Sequence, residues 1–178
     1  MFIALEGLVG FLSGVVEVYY DNPTIFLTVL FVFSILTAII LPIPVEVALL
    51  PIIDNLSLLG TAALVLGAGK AVGAGAIFVL GLRVEAPIRY WSARHRSVGK
   101  FVGYVTRFVR ATRWMGLFIL LAIPFFPDTV PIYIYSLFNK QGQLISGRIF
   151  LLVNFLAGMV RAFVFVLASQ FGLGFLLG

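Results

Sequence analysis

The sequence predicts an all-α integral membrane protein built as an inverted repeat, in which each half holds a re-entrant, proline-broken helical hairpin and a transmembrane helix. Composition is the first observation behind this prediction: hydrophobic residues make up 62% of the 178 positions and charged residues 11%, against roughly 45–50% and about 25% in soluble domains. Two proline-rich breaks at matching places are the second observation, and the concentration of basic residues in one stretch is the third. This composition excludes a typical soluble enzyme, a disordered chain and a secreted disulfide scaffold.

Cysteine and histidine counts narrow the chemistry further. The absence of cysteine excludes thiol catalysis, cysteine-ligated zinc and disulfide bonds, and the single histidine, His95, excludes a histidine-rich metal site. Neither a phosphate-binding Gly-Lys-Ser/Thr loop nor a plausible Ser-His-Asp triad is present. We therefore expect one membrane domain over residues 1–178 that is not an enzyme and that holds no metal or cofactor.

Residues 1–21 are predicted to form an amphipathic N-terminal helix. Its polar positions recur at helical spacing and share one narrow face; they are Glu6, Gly10, Ser13 and Glu17. The helix ends before Pro23, because proline disfavours helical backbone at the residue before it. It either lies in the membrane interface or packs its carboxylates inward.

The first repeat, residues 22–82, contains two apolar runs around a break. Residues 24–41 carry no charge and are long enough for a transmembrane helix. A regular helix cannot continue beyond them, because each interior proline removes a backbone donor and clashes with the preceding turn. The prolines of this break, which surrounds Glu46, are Pro42, Pro44 and Pro51. Residues 60–82 form the second run, with Lys70 near its centre and six glycines that permit close helix contact.

Residues 83–113 are predicted to be cytoplasmic, because short loops rich in lysine and arginine stay on that side of a membrane. They carry eight of the twelve basic residues: Arg83, Arg89, Arg94, Arg96, Lys100, Arg107, Arg110 and Arg113. An apolar stripe at helical spacing runs through the same stretch and consists of Val98, Phe101, Val102, Val105 and Val109. We expect an amphipathic helix on the cytoplasmic membrane face, in contact with anionic headgroups. Nothing besides the basic charge supports nucleic-acid binding.

The second repeat, residues 114–178, has the same order of parts. An apolar run leads into a break around Asp128 that contains Pro124, Pro127 and Pro131. A polar loop follows, and then residues 149–177 form an apolar helix that contains Asn154 and Arg161. Each half thus supplies one carboxylate in a proline-rich break and one basic residue in an apolar helix, a pattern typical of inverted-repeat transporter sites.

The charge asymmetry orients the two breaks. If each break is a re-entrant hairpin that enters and leaves on one side, the loop with Lys140 and Arg148 is cytoplasmic, and the two halves have opposite orientations. If both segments span the membrane instead, those two residues face outward. We favour the re-entrant arrangement, in which the backbone groups freed at the breaks line a hydrated cavity near the midplane.

Ionisable residues inside the apolar runs are the candidate site. A charge at the bilayer centre costs at least ~2.5–3.5 kcal/mol on insertion scales, so their number favours a polar path for a charged substrate or for protons. The predicted path residues are Glu46, Asp128, Lys70, Arg161, Asp54 and Asn154. The structural alternative is that Glu46–Lys70 or Asp128–Arg161 pairs hold the helices together. Asp54 is also placed to reach the outer interface.

Several segments together resemble the DedA/VTT superfamily over roughly residues 24–170. They are the Pro-x-Pro-x-Glu segment at 42–46, the glycine-rich helix at 67–81, the second proline-rich break at 124–131 and the closing helix with Asn154. The chain departs from the family pattern in its second half. In an alignment on Pro127, Pro124 and Val130 stand where family members usually carry arginines, and Asp128 is present. The chain therefore resembles a divergent member.

The resemblance implies two facing re-entrant hairpins and a role in moving lipids between leaflets, with Glu46 at the position of the family's first-hairpin glutamate. We expect a flippase or scramblase in a prokaryotic cell membrane that moves a polyprenyl phosphate or a phospholipid, with proton coupling through Glu46 and Asp128 as an option. Lys70 or Arg161 would pair with the phosphate. Two alternatives stay open: a small-solute or ion transporter, and a non-transporting scaffold whose basic 83–113 face recruits anionic lipids or protein partners.

Overall fold

The computed structural model describes Gly14 and residues 22–40, 45–53, 55–94, 96–124, 126–139 and 143–177, with backbone alone at 84–94, 96–99, 101 and 170–177. Some predictions fall outside this description. They concern the N-terminal helix over 1–21, of which only Gly14 is described. They also concern five single residues, Pro42, Pro44, Asp54, His95 and Lys140, and the side chains of Arg89, Arg94 and Arg96.

Every regular element among the described residues is helical, which confirms the all-α prediction. The elements are α1 (Pro23–Ile39), a 3₁₀ helix (Val45–Ile52), α2 (Leu56–Arg94), α3 (Arg96–Ala122), α4 (Thr129–Leu137) and α5 (Gly147–Leu177). Two helical segments, Leu56–Arg83 and Gly147–Ser169, are long and apolar enough to cross a membrane.

Local sequence explains where the helices start and end. Asn22 caps α1, because its side-chain oxygen accepts hydrogen bonds from the backbone N–H groups of Thr24 and Ile25 at 2.9 and 3.3 Å. Asn55 caps α2 in the same way through the N–H of Leu58 at 3.1 Å. Helix α2 continues past residue 82, where the apolar run ends, because a change from apolar to charged residues does not interrupt backbone hydrogen bonding.

Helix α3 consists of two helical pieces joined by a kink at Arg113, whose φ of 47° lies in the left-handed region. The kink falls at the predicted boundary between the basic segment and the second repeat. Helix α4 tolerates Pro131 because this residue lies in its first turn, where backbone N–H groups have no helical acceptor. The second break is therefore shorter than predicted and ends at Asp128.

Glycines set the directions in which the long helices pack. A Cβ added at Gly67 would lie 2.7 Å from the Phe155 carbonyl oxygen, and one at Gly75 would lie 2.9 Å from Leu151, so α2 and α5 run antiparallel in close contact. Gly69 faces the Phe31 carbonyl oxygen, and Gly73 faces that of Ile35 four residues later. Helices α1 and α2 therefore run in the same direction.

The core divides into two apolar clusters. The first contains residues of α1, the 3₁₀ helix, the first part of α2 up to Leu66 and the later part of α5 from Ala162. The second contains residues of α2 from Ala74, of α3, of α4 and of the earlier part of α5 up to Ala157. Lys70 lies between the two clusters on α2, and Arg161 lies between them on α5. A layer of charge therefore separates the two clusters.

The outer surfaces of the helices are apolar as well. On α1 the exposed stripe is Ile25, Val29, Val32 and Leu36, and on α5 it includes Leu152, Leu156, Phe163 and Leu167. Contiguous exposed apolar surface of this extent is rare on soluble monomers and marks contact with a membrane or a partner.

Candidate functional site

Four charged side chains meet in one buried group, which we call the charge quartet: Glu46, Lys70, Asp128 and Arg161. They come from the 3₁₀ helix, α2, the residue before α4, and α5. Asp128, the most accessible of them, is 7% exposed. All four were predicted from sequence as residues of a polar path, and the structure brings them into direct contact.

Each cation of the quartet contacts both carboxylates. The Nζ of Lys70 lies 2.8 Å from Oε1 of Glu46 and 2.7 Å from Oδ2 of Asp128. The Nη2 of Arg161 donates to Oε2 of Glu46 at 3.1 Å, and its Nη1 donates to Oδ1 of Asp128. Both pairs named by the structural alternative, Glu46–Lys70 and Asp128–Arg161, are therefore present, and two further contacts join them into one crosswise network.

Two further contacts complete the surroundings of Arg161. Its Nη1 donates to the carbonyl oxygen of Phe126 at 2.9 Å, so a backbone group of the proline-rich break is satisfied inside the protein. Its Nε lies 2.9 Å from Oε1 of Glu46 but without hydrogen-bond geometry. Among the described residues, this Nε is the one buried side-chain donor or acceptor without a hydrogen bond.

Local backbone directs both carboxylates into the quartet. Glu46 lies in the first turn of the 3₁₀ helix and is fully buried. Asp128 occupies the N-cap position of α4, yet its side chain makes no capping hydrogen bond. Its oxygens contact Lys70 and Arg161 instead.

Small residues make room for the lysine. A Cβ added at Gly158 would lie 3.1 Å from the Cα of Gly67 and 3.2 Å from the Cδ of Lys70. Gly67 and Gly158 thus let α2 and α5 approach closely while the Lys70 stem passes between them. A side chain at Gly158 would crowd the Lys70 stem, and one at Gly67 would meet the Phe155 carbonyl oxygen at 2.7 Å.

The other predicted site residues lie elsewhere. Asn154 is buried, but its side-chain amide donates to the Phe150 carbonyl of its own helix at 2.8 Å. Pro51 lies inside the 3₁₀ helix, whereas Pro124 and Pro127 lie in the second break. Within the 83–113 segment, the basic residues with described side chains are exposed: Arg83, Lys100, Arg107, Arg110 and Arg113.

Two residues of the predicted apolar stripe in the basic segment, Val105 and Val109, face the protein core. Val109 is fully buried in the second apolar cluster, and Val105 packs against that cluster. The prediction that this stripe contacts the membrane is wrong at Val105 and Val109. Helical periodicity shows that a face is apolar, but it does not distinguish a protein core from a bilayer.

Hydroxyl groups between helices were not singled out by the sequence. The Tyr133 hydroxyl donates to the Ile39 carbonyl at 3.1 Å and so joins α4 to the end of α1. The hydroxyls of Thr112 and Tyr135 bond to each other beside Gly116. A tyrosine in an apolar segment can bond to a neighbouring helix or lie at the membrane–water interface, and the sequence does not distinguish these two roles.

No family model, no curated protein and no solved structure matches the chain.

Proposed function

We propose that the chain is an integral membrane lipid transporter, a flippase or scramblase similar to the DedA/VTT superfamily, which moves a phosphate-bearing lipid between leaflets. One observation carries the proposal: four charged residues from four separate elements converge, buried, between two apolar clusters. Ionisable groups at membrane depth mark substrate or ion pathways more often than they mark purely structural sites.

The apolar exterior supports a place in the membrane. The two membrane-length helical segments and the exposed apolar stripes of α1 and α5 would meet lipid tails. With the basic segment 83–113 on the cytoplasmic side, the Arg83 end of α2 is the cytoplasmic end. A prokaryotic cell membrane is the proposed location.

The helix directions support an inverted repeat of re-entrant hairpins. Because α1 and α2 run in the same direction, the chain returns between them through the 3₁₀ helix, and the first hairpin opens toward the N-terminal end of α2. Asp128 lies beside Lys70, and Ser136 lies beside Gly81, so α4 leads from the quartet toward the opposite end of α2. The second hairpin would open there.

The geometry of the cations suits a single anionic headgroup. Lys70 Nζ and Arg161 Nε both lie within 2.9 Å of the same atom, Oε1 of Glu46. A phosphate oxygen at this position would contact both cations, and Nε has a hydrogen-bonding capacity that the protein leaves unused. The lipid tails would stay in the bilayer while the headgroup passes the quartet.

The mutual pairing of the quartet determines which contacts must break before a phosphate can bind. Two cations and two carboxylates neutralise one another, so a phosphate can bind only if a carboxylate gives up its contacts. A displaced carboxylate in a buried site is costly unless it is protonated or paired again. Proton uptake by Glu46 or Asp128 would meet this requirement, which is how proton coupling enters the proposal.

Lipid reorientation in proteoliposomes tests the proposal. We expect the wild-type chain to accelerate the reduction of inner-leaflet, fluorescently labelled phospholipid by an impermeant reductant, and Glu46→Gln with Lys70→Met to abolish this acceleration. Asn154→Ala, which removes a buried polar group outside the quartet, serves as the control and should retain it. Equal rates in wild type and in the Glu46→Gln, Lys70→Met protein would overturn the role of the quartet.

The same vesicles distinguish the alternatives. Ion or solute flux without lipid movement would identify a small-solute or ion transporter. The complete mutual pairing of the quartet is the observation that favours a scaffold, and absence of both fluxes in a folded, inserted protein would identify one.

A further inference from the structure

The outward side of the first piece of α3 has two distinct edges. The basic edge consists of Lys100, Arg107 and Arg110, which are spaced seven and three residues apart. Tyr104 and Phe108, one turn apart, form the aromatic edge and are 70% and 46% exposed. The opposite side carries Val109 and packs on the protein. This piece of helix is therefore attached through Val105 and Val109 and through an edge-on contact of the Phe108 ring with the buried Tyr135 ring, and it presents two unlike edges outward.

The basic edge has no anionic partner among the residues whose side chains the structure describes. The acidic residues in that set are Glu46 and Asp128, and both lie in the charge quartet. Three further exposed arginines extend the positive surface near the same end of the molecule: Arg83, Arg113 and Arg148. A positive surface attracts an external anion.

We propose that the outward side of α3 is a binding surface for anionic phospholipid headgroups in the leaflet at the Arg83 end of α2. Aromatic rings favour the boundary between headgroups and acyl chains, so the aromatic edge would hold the neighbouring basic edge at the level of the phosphates. The surface that meets lipid is thus opposite to Val105 and Val109. The proposal requires a membrane but holds whether or not the quartet transports lipid.

The residues that follow the basic edge in the chain favour a membrane, rather than a soluble anion, as the ligand of this surface. Trp114 and Met115, which directly follow the kink at Arg113, are 49% and 57% exposed and extend the apolar surface toward the second hairpin. A nucleic acid or an acidic protein would explain the basic edge but not the exposed apolar side chains of Trp114 and Met115 that follow it in the chain. The aromatic residues and the arginines together fit an interfacial helix.

Quenching of Trp114 fluorescence tests the proposal in the full-length protein. The protein, with Trp91→Phe to leave one tryptophan, is reconstituted in bilayers that contain either brominated phosphatidylglycerol or brominated phosphatidylcholine as a minor component. We expect preferential quenching by phosphatidylglycerol, which salt reverses, because exposed charges are screened. Each basic residue near a membrane surface contributes about a fivefold change in anionic-lipid binding.

A charge-removal variant and a charge-retaining variant form the matched pair. Lys100→Gln, Arg107→Gln and Arg110→Gln together should lower the preference for phosphatidylglycerol on the order of 100-fold. Lys100→Arg, Arg107→Lys and Arg110→Lys together keep the charge and should keep the preference. Equal quenching by the two lipids in the wild type, or an unchanged preference in the glutamine variant, would overturn the proposal. Tighter binding of the wild type to RNA or to an acidic peptide than to phosphatidylglycerol vesicles would also overturn it.

Discussion

The charge quartet and the basic edge of α3 use the same cationic side chains in opposite settings. In the quartet, Lys70 and Arg161 are buried, and each contacts two carboxylates. On the basic edge, Lys100, Arg107 and Arg110 are exposed and have no described acidic partner. Burial makes each quartet charge depend on its partners, since an unpaired buried charge is costly. Exposure makes each charge of the basic edge independent and open to an external ligand.

Removal of one quartet charge should have the largest effect on stability. We expect Lys70→Met to lower the free energy of unfolding by about 3–5 kcal/mol, because it leaves two buried carboxylates that share Arg161 alone. Denaturant titration in detergent, monitored by helical circular dichroism, measures this loss. A loss under about 1 kcal/mol, the size typical of exposed pairs, would show that water enters the quartet and that the contrast with the basic edge is small.

Removal of one charge of each sign should restore much of this loss. In Glu46→Gln with Lys70→Met, Asp128 and Arg161 remain as a neutral pair, and replacement of a buried ion pair is often neutral or stabilising. We expect the double variant to be more stable than Lys70→Met alone yet inactive in lipid reorientation. A double-mutant cycle measures the coupling. Simple additivity of the two losses would contradict a closed network.

Sequence reasoning identified the members of the quartet but not their connection. Scarcity of charge and position within proline-rich or apolar segments singled out all four residues individually. Their convergence depends on how the 3₁₀ helix, α2, α4 and α5 pack, which no local pattern specifies. The sequence therefore left two separate pairs as the structural alternative, whereas each cation contacts both carboxylates.

The differences between the sequence expectations and the observed contacts have physical causes of the same kind. Asn154 carried the same signal as Lys70, a polar residue in an apolar helix, but it bonds to a carbonyl of its own helix. The α3 stripe has the periodicity of an interfacial helix, but its residues Val105 and Val109 pack on protein. In each case the sequence reports that a face is polar or apolar, and only the fold determines what lies opposite.

Glycine substitutions compare the packing around the two regions. Gly67→Ala places a methyl group against the Phe155 carbonyl oxygen, where an ideal Cβ would lie 2.7 Å away, so we expect a destabilisation of about 1–3 kcal/mol. Gly103→Ala on α3 meets nothing within 4 Å and should stabilise by about 0.5–1 kcal/mol, since alanine restricts the unfolded chain and favours helix. Both effects are measured by denaturant unfolding. Equal changes at the two positions would mean that α2 and α5 can separate at no cost.

Neutralisation of the basic edge should have the smallest effect on stability. We expect Lys100→Gln, Arg107→Gln and Arg110→Gln together to change the free energy of unfolding in neutral detergent by no more than about 0.5 kcal/mol, because exposed side chains without partners contribute little. Thermal unfolding at low and high salt checks this, and the two curves of the variant should coincide. A clear destabilisation would show that these cations have anionic partners within the protein. The basic edge would then resemble the quartet, and its charges would not be free to bind lipid headgroups.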